Sequence, residues 1–241
     1  MKHSRFSSKA ILLHSANFKE TSLIGTFFTD TYGLIKLVVK GAKAKKSRFS
    51  NIKVPGAVFE IEFGGRGELK NLYTSEIIDS VVIDESNLKI HLYLHEIIIR
   101  TLELEAPVKP IFESLLTILK EIEKISDASQ KEIKLRQFEF QLISELGYEF
   151  SLLSDCNGKM IKKDSFYEFI PNQGLRETTE TSEISRLNVS KGSSILKFSE
   201  GAFENDQSKK FIKYIMRTSL DTISTKPLNS SRFFRLKKDA N

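Results

Sequence analysis

The first eighty residues alternate between short apolar runs and turn residues. Ala10–Leu13 is one apolar run and Leu23–Phe28 is the next, within Ser22–Thr29; the polar stretch Ser15–Thr21 between them reads as a hairpin loop. Asp30-Thr31-Tyr32-Gly33 is a turn. After it Ile35, Leu37 and Val39 alternate with Lys36 and Lys40, the period of a half-buried strand. Gly41 ends that strand, and a mobile loop rich in Lys, Arg and Ser follows. Pro55-Gly56 marks the next turn. Phe59, Ile61 and Phe63 then face one way, and Glu60 and Glu62 the other. Gly64-Gly65-Arg66-Gly67 breaks the chain before a last strand over Leu69–Ile78. Five short strands with glycine-rich corners predict a small closed barrel of the OB type, with an SH3-like barrel as the alternative.

From about Leu88 the period becomes helical. Leu94, Ile97, Ile98, Ile99 and Leu102 define a buried helix within Leu92–Leu104, stopped by Ala106-Pro107. Pro110 opens the next helix, which carries Ile111, Phe112, Leu115, Leu119 and Ile122. Ser129-Gln130-Lys131-Glu132 has the form of a capping box, ahead of Ile133, Leu135, Phe138 and Leu142. Gly147 ends that helix. Residues 154–200 are irregular in pattern, with Phe166–Ile170 a candidate strand. Asp206 or Ser208 caps a final helix bearing Phe211, Ile212, Ile215, Met216 and Leu220. The predicted class is α+β: an N-terminal five-stranded barrel over 1–80 and a helical domain over 81–241, with an irregular subdomain at about 154–200.

Charge changes this picture. The run from Thr31 to Phe59 has no acidic residue in a chain that is 28% charged. Residues 1–80 hold 13 Lys and Arg against 7 Asp and Glu, and the remainder holds 24 of each. The whole excess of +6 therefore sits in the first third, which points to an anion-binding module on a neutral scaffold. Lys36, Lys40, Lys43, Lys45, Lys46 and Arg48 are the candidate ligands of a polyanion, with Arg66 at the strand corner. For Phe27 and Phe28 the pattern favours core packing. For Tyr32 and Phe49, in turn and loop, packing and base stacking both stand open.

Catalytic patterns are not found. His91 and His95 stand four apart, but not in the order of a zinc protease and with no third ligand in view. Gly64–Gly67 lacks the Lys-Ser/Thr of a phosphate loop. The single Cys156 excludes an intramolecular disulfide. No apolar run approaches bilayer length. The expectation is a soluble binding protein without cofactor, and not an enzyme.

Several segments together resemble the RecO family. Ala10-Ile11-Leu12-Leu13-His14, Lys19–Leu23, Lys40-Gly41-Ala42-Lys43 and Arg66-Gly67-Glu68-Leu69 resemble its N-terminal domain. Tyr93-Leu94-His95-Glu96, Leu135-Arg136-Gln137-Phe138-Glu139, Leu146-Gly147-Tyr148 and Leu228–Phe234 resemble its helical part, in the family's order. The resemblance implies a DNA repair protein and recombination mediator. Such proteins bind single- and double-stranded DNA, anneal complementary strands, work with RecR, contact the acidic C-terminal tail of single-strand-binding protein, and help to load RecA. With no signal-type or membrane-spanning segment in view, the expected location is cytoplasmic, and nucleoid-associated for a DNA repair protein. Arg136 and Arg232 are the candidates for partner contact; an intramolecular salt bridge is the competing role for each. Many family members carry four cysteines as a zinc site, whereas this chain keeps only Cys156 in Asp155-Cys156-Asn157-Gly158, so no zinc is expected and packing must hold that loop. A general RNA-binding OB protein is the rival class, and an adaptor for acidic proteins a further one.

Overall fold

A computed structural model of the chain describes residues 5–54, 56–148, 150–179 and 187–229. These fall into two compact units, residues 1–123 with 228–241, and residues 124–227.

The first unit is built on five strands, β1 (Arg5–Phe18), β2 (Ser22–Thr29), β3 (Gly33–Val39), β4 (Ala57–Gly64) and β5 (Leu69–Ser80). They close in the order β1-β2-β3-β5-β4, with β3 and β5 parallel and the other pairs antiparallel. That connectivity is the OB barrel. β1 is long enough to pair with both β2 and β4 and so closes the ring. Its register slips at Leu13. The bulge puts His14 and Ala16 in line with Thr26 and Ile24, outside the core residues Phe27 and Leu23. Ala10, Phe27, Ile35, Leu37, Val39, Phe59, Ile61, Phe63 and Leu72 fill the interior.

β3 differs from the half-buried strand expected of it. Leu34 and Val38, on its outer face, are also buried, and Lys36 is the partly exposed residue between them. At Leu34 the alternation is hidden because the chain that follows the barrel covers that end of the strand. α1 (Leu88–Thr101) packs on β1, and Phe112 of α2 (Lys109–Lys124) meets Phe28 edge to face at 5.4 Å. The α1–α2 link adds a bridge between Leu104 and Leu34. Gly33 takes φ +65° there, with the Ala106 carbonyl oxygen 2.2 Å from where a Cβ would stand. α1 begins and ends earlier than its hydrophobic pattern suggests, because Leu102 is already extended. Leu228 returns to this unit and is buried, and the Asn229 N–H donates to Glu96 at 2.7 Å.

The second unit holds α3 (Ala128–Glu145), a three-stranded sheet, α4 (Gly192–Ser199) and α5 (Asp206–Ile223). The sheet runs β7 (Gly174–Thr178), β6 (Phe166–Ile170), β8 (Val189–Lys191). The segment read as irregular therefore contains a small antiparallel sheet whose strands are too short to show a period. α3 is capped not by Ser129 but by Asp127, which accepts from the Gln130 N–H at 2.7 Å. α5 is capped by Asn205, with Ser208 completing a reciprocal box. Phe211, Ile212, Ile215 and Met216 of α5 are fully buried, as are Leu142 and Ile143 of α3. No helix among the described residues is long and apolar enough to cross a membrane.

Candidate nucleic-acid interface

The basic stretch after β3 folds into a succession of tight turns on the barrel. Gly41, at φ +73°, turns the chain out of the strand. A succession of tight turns follows, Ala44 N–H to Gly41 O, Ser47 to Ala44, Ser50 to Ser47 and Ile52 to Phe49, each at 3.1 or 3.2 Å. The last belongs to a 3-10 turn over Ser50–Lys53. Ala42, Phe49 and Ile52 point into the barrel and are at most 5% exposed. Lys40, Lys43, Lys45, Lys46, Arg48 and Lys53 lie on the outside. Phe49 is thus a core plug, not a stacking platform, and Arg48 lies over its ring at 4.7 Å. Tyr32 is partly buried against Phe6 and Phe63.

The basic segment is tied to the β1–β2 turn. The Lys43 N–H donates to Thr21 O at 3.0 Å and the Lys43 ammonium to Lys19 O at 3.1 Å. Lys19, held at φ +52°, therefore joins the cluster. Its place in a hairpin loop was visible in the sequence, but its neighbours were not, because they depend on β2 pairing with the end of β3. Lys40, Lys45, Lys46 and Lys53 have no carboxylate within ion-pair distance among the described residues. Glu20 is the acidic residue on the adjoining turn.

The strand register extends this end of the barrel into a face. His14, Thr26 and Lys36 form one cross-strand row on β1, β2 and β3, and Ala16, Ile24 and Val38 the next. Lys36 is half-exposed and paired with Glu68 of the β4–β5 corner. Arg66 is exposed in that corner, at the barrel end opposite the basic turns. The structure thus groups Lys40, Lys43, Lys45, Lys46 and Arg48 at one end, puts Lys36 mid-face, and sets Arg66 apart. In OB barrels the β2–β3 face, flanked by the β1–β2 and β4–β5 loops, is where oligonucleotides lie. The opposite wall is acidic: Glu60 and Glu62 on β4 and Glu76 and Asp79 on β5, with Glu62 paired to Arg5 and Asp79 to Lys120. The barrel is therefore electrostatically two-sided.

Of the paired histidines, His91 is engaged by a carboxylate within the fold. His91 is 2% exposed and shares a hydrogen bond of 2.7 Å with Glu123, which also accepts from the Asp84 N–H and the Asn87 amide. Burial acts to raise Glu123, but the hydrogen bonds from Asn87, Asp84 and His91 hold it below the usual carboxylate range. Burial lowers His91 against the pull of Glu123. Burial, helped by the charge of His91, pushes His95 down to about 4. Among the described residues no three His, Cys, Asp or Glu side chains converge on a common point.

Comparison with known proteins fits this geometry. The family model described as Recombination protein O N terminal matches residues 1–81, and that described as Recombination protein O C terminal matches residues 86–232. A protein named DNA repair protein RecO from Idiomarina loihiensis is 31% identical over 95% of this chain and 97% of its own length. Namesakes from Pseudomonas putida and Pseudomonas entomophila are 32% and 34% identical, each over 94% of this chain and 96% of their own. The chain belongs to the RecO family. Its role is in DNA repair and recombination, and its barrel is the family's OB-type N-terminal domain. Among solved structures, an Entamoeba histolytica asparaginyl-tRNA synthetase is 12% identical over 78% of this chain and 42% of its own, at a TM-score of 0.29, which is too low to bear on fold or function.

Two features of this RecO family member lie in the second unit. Arg136 is 7% exposed; its guanidinium donates to Glu139, which is wholly buried, and lies 3.9 Å from Glu132. Lys209 of α5 also meets Glu132, at 2.9 Å. The intramolecular role is thus occupied. Arg232 lies outside the described residues. The loop around Cys156 does not fit a zinc ion. Cys156 is exposed, and the adjacent Asp155 carboxylate already accepts from the Asn157 and Lys159 N–H groups at 2.9 and 2.8 Å. The Cys156 N–H ties the loop to Leu175 O at 2.6 Å, and Phe150 packs edge to face on Phe169 at 5.1 Å. A buried carboxylate and an aromatic contact hold the loop.

Proposed function

We propose that this protein is a recombination mediator that binds single- and double-stranded DNA on the β2–β3 face and the basic turns, and anneals complementary strands. The observation that carries this reading is the cluster of Lys40, Lys43, Lys45, Lys46 and Arg48 at one barrel end, continuous with Lys36 and opposed by an acidic far wall. Lysines without carboxylate partners are available to phosphates, and each contact releases counterions. Four to six such contacts to a single strand give a slope of log K against log salt of about −3 to −4. Binding is nearly independent of sequence, because phosphates carry no base identity. Two strands held with their charge screened and bases accessible can then pair.

In this reading the protein acts with RecR, contacts the acidic tail of single-strand-binding protein through its helical part, and helps to load RecA. Arg136 contributes by holding α3, through its buried ion pair with Glu139. Arg232 remains a candidate for direct contact. The test is annealing of complementary oligonucleotides, bare and coated with single-strand-binding protein, beside a variant with Lys43, Lys45, Lys46 and Arg48 changed to alanine. Acceleration by the parent, lost in the variant, is the expected result. Binding without annealing, with equal or greater affinity for RNA, would favour a general RNA-binding protein.

A further inference from the structure

The two ends of the barrel are closed differently. Ala42, Phe49 and Ile52 plug the end that carries the basic turns. The other end opens on a cavity of about 310 Å³ bordered by Phe6, Tyr32, Ile35, Phe63, Lys70 and Glu105. Its wall is aromatic. Tyr32 stands edge to face with Phe63 at 5.3 Å and with Phe6 at 5.4 Å. The volume lies at the lower edge of the range for small-ligand pockets, roughly 300–1,000 Å³.

Two residues at this mouth depart from what a barrel end requires. Lys70 pairs in register with Leu37, an interior position, so it is an inward-facing lysine, its side chain only 12% exposed. Its ammonium meets the carboxylate of Glu105. Glu105 sits in the left-handed region at φ +60°, which disfavours a residue with a Cβ, and its N–H donates to Leu34 O at 2.9 Å. Backbone strain of this kind gathers at ligand clamps. The neighbouring register pair is Lys36 with Leu69, so the mouth adjoins the face described above.

We propose that the barrel mouth takes up one unstacked nucleobase from a DNA strand lying on the β2–β3 face. The base sits against Phe6 and Tyr32, with Phe63 beneath them, and its phosphate replaces the Glu105 carboxylate at Lys70. This rests on the DNA-binding reading and adds to it a reason to distinguish strands: a base must leave its pair to enter, so the mouth acts on single strands only. It reads no base identity strongly, because every base offers a π face.

The test uses the full chain and a thymidine oligonucleotide carrying one 5-iodouridine. The complex is irradiated and the crosslinked peptide mapped by mass spectrometry. Affinities for the same strand, for an abasic strand of equal length and for a duplex are measured beside Tyr32→Leu and Glu105→Gln. The expected crosslink falls on Phe6 or Tyr32. Tyr32→Leu weakens the thymidine strand about tenfold, the loss of one stacked base, and leaves abasic strand and duplex unchanged. Glu105→Gln, a half-exposed substitution that leaves the core alone, tightens the single strand about two- to fivefold by freeing Lys70. Salt-dependent binding with crosslinks elsewhere and both variants behaving as the parent would overturn the pocket and leave the DNA-binding reading standing. No binding of any strand by the parent would overturn both.

Discussion

Phe49 separates a structural from a recognition role within the basic segment. It is 1% exposed and belongs to the barrel core. Replacing it with alanine removes a buried ring that the rest of the core cannot fill, at a cost of about 3–5 kcal/mol. Loss of the Arg48 contact to its ring adds about 0.5–1 kcal/mol. A domain is stable by only about 5–15 kcal/mol, so the barrel becomes marginal. Phe49→Leu keeps most of the volume and costs under about 1.5 kcal/mol. The assay is hydrogen exchange of peptides from β3 and β4, which reports the barrel without assuming that the two units unfold together. Protection should fall steeply in Phe49→Ala and slightly in Phe49→Leu, with DNA affinity following the folded fraction. If Phe49→Leu left protection intact yet abolished DNA binding, Phe49 would be a stacking platform and the plug assignment would be wrong.

Three further outcomes follow from the packing. Both His91 and His95 are lowered from 6.5, so the unfolded chain binds protons that the folded chain refuses. Stability is therefore full above pH 6.5 and falls toward pH 4, by on the order of 3 kcal/mol for His95; thermal melts across this range check it, and a flat profile would refute it. Gly33→Ala forces a Cβ against the Ala106 carbonyl at positive φ and should destabilise the barrel by more than about 1 kcal/mol, read by the same exchange experiment. Arg136→Ala breaks a buried ion pair with Glu139 and should cost about 3–5 kcal/mol, whereas Arg136→Met with Glu139→Leu recovers most of it in denaturant unfolding of the second unit.

The barrel was legible because its turns are marked by Gly33, Gly41, Gly56 and Gly64–Gly67, and because β2 and β4 alternate or run apolar between them. Less could be read where tertiary cover replaces solvent. Leu34 is buried where the link between α1 and α2, about seventy residues later, bridges to it, so the start of β3 loses the alternation of a half-buried strand. Phe49 looked available because it lies among lysines; its direction is set by successive tight turns that composition does not encode. The cations themselves were legible as a run. Their partition was not: Lys19 joins through strand pairing, Lys36 is shared with Glu68, and Arg66 falls at the other end. Arg136 and Glu139 were visible as a helical pair three apart, but their burial is a property of the α3–α5 packing. The inward Lys70 left no trace at all, because a lysine in a strand reads as an outward residue until the register is known.

The proposed function requires that the exposed cations of the basic turns neutralise DNA phosphates. The most direct measurement is the salt dependence of single-strand affinity for the parent and for the variant with Lys43, Lys45, Lys46 and Arg48 changed to alanine. A parental slope of about −3 to −4, reduced by about 2 to 3 in the variant, is the result expected from roughly 0.7 counterions released per phosphate contact. An unchanged slope in the variant would show that the phosphates are held elsewhere and that the basic turns are not the DNA site.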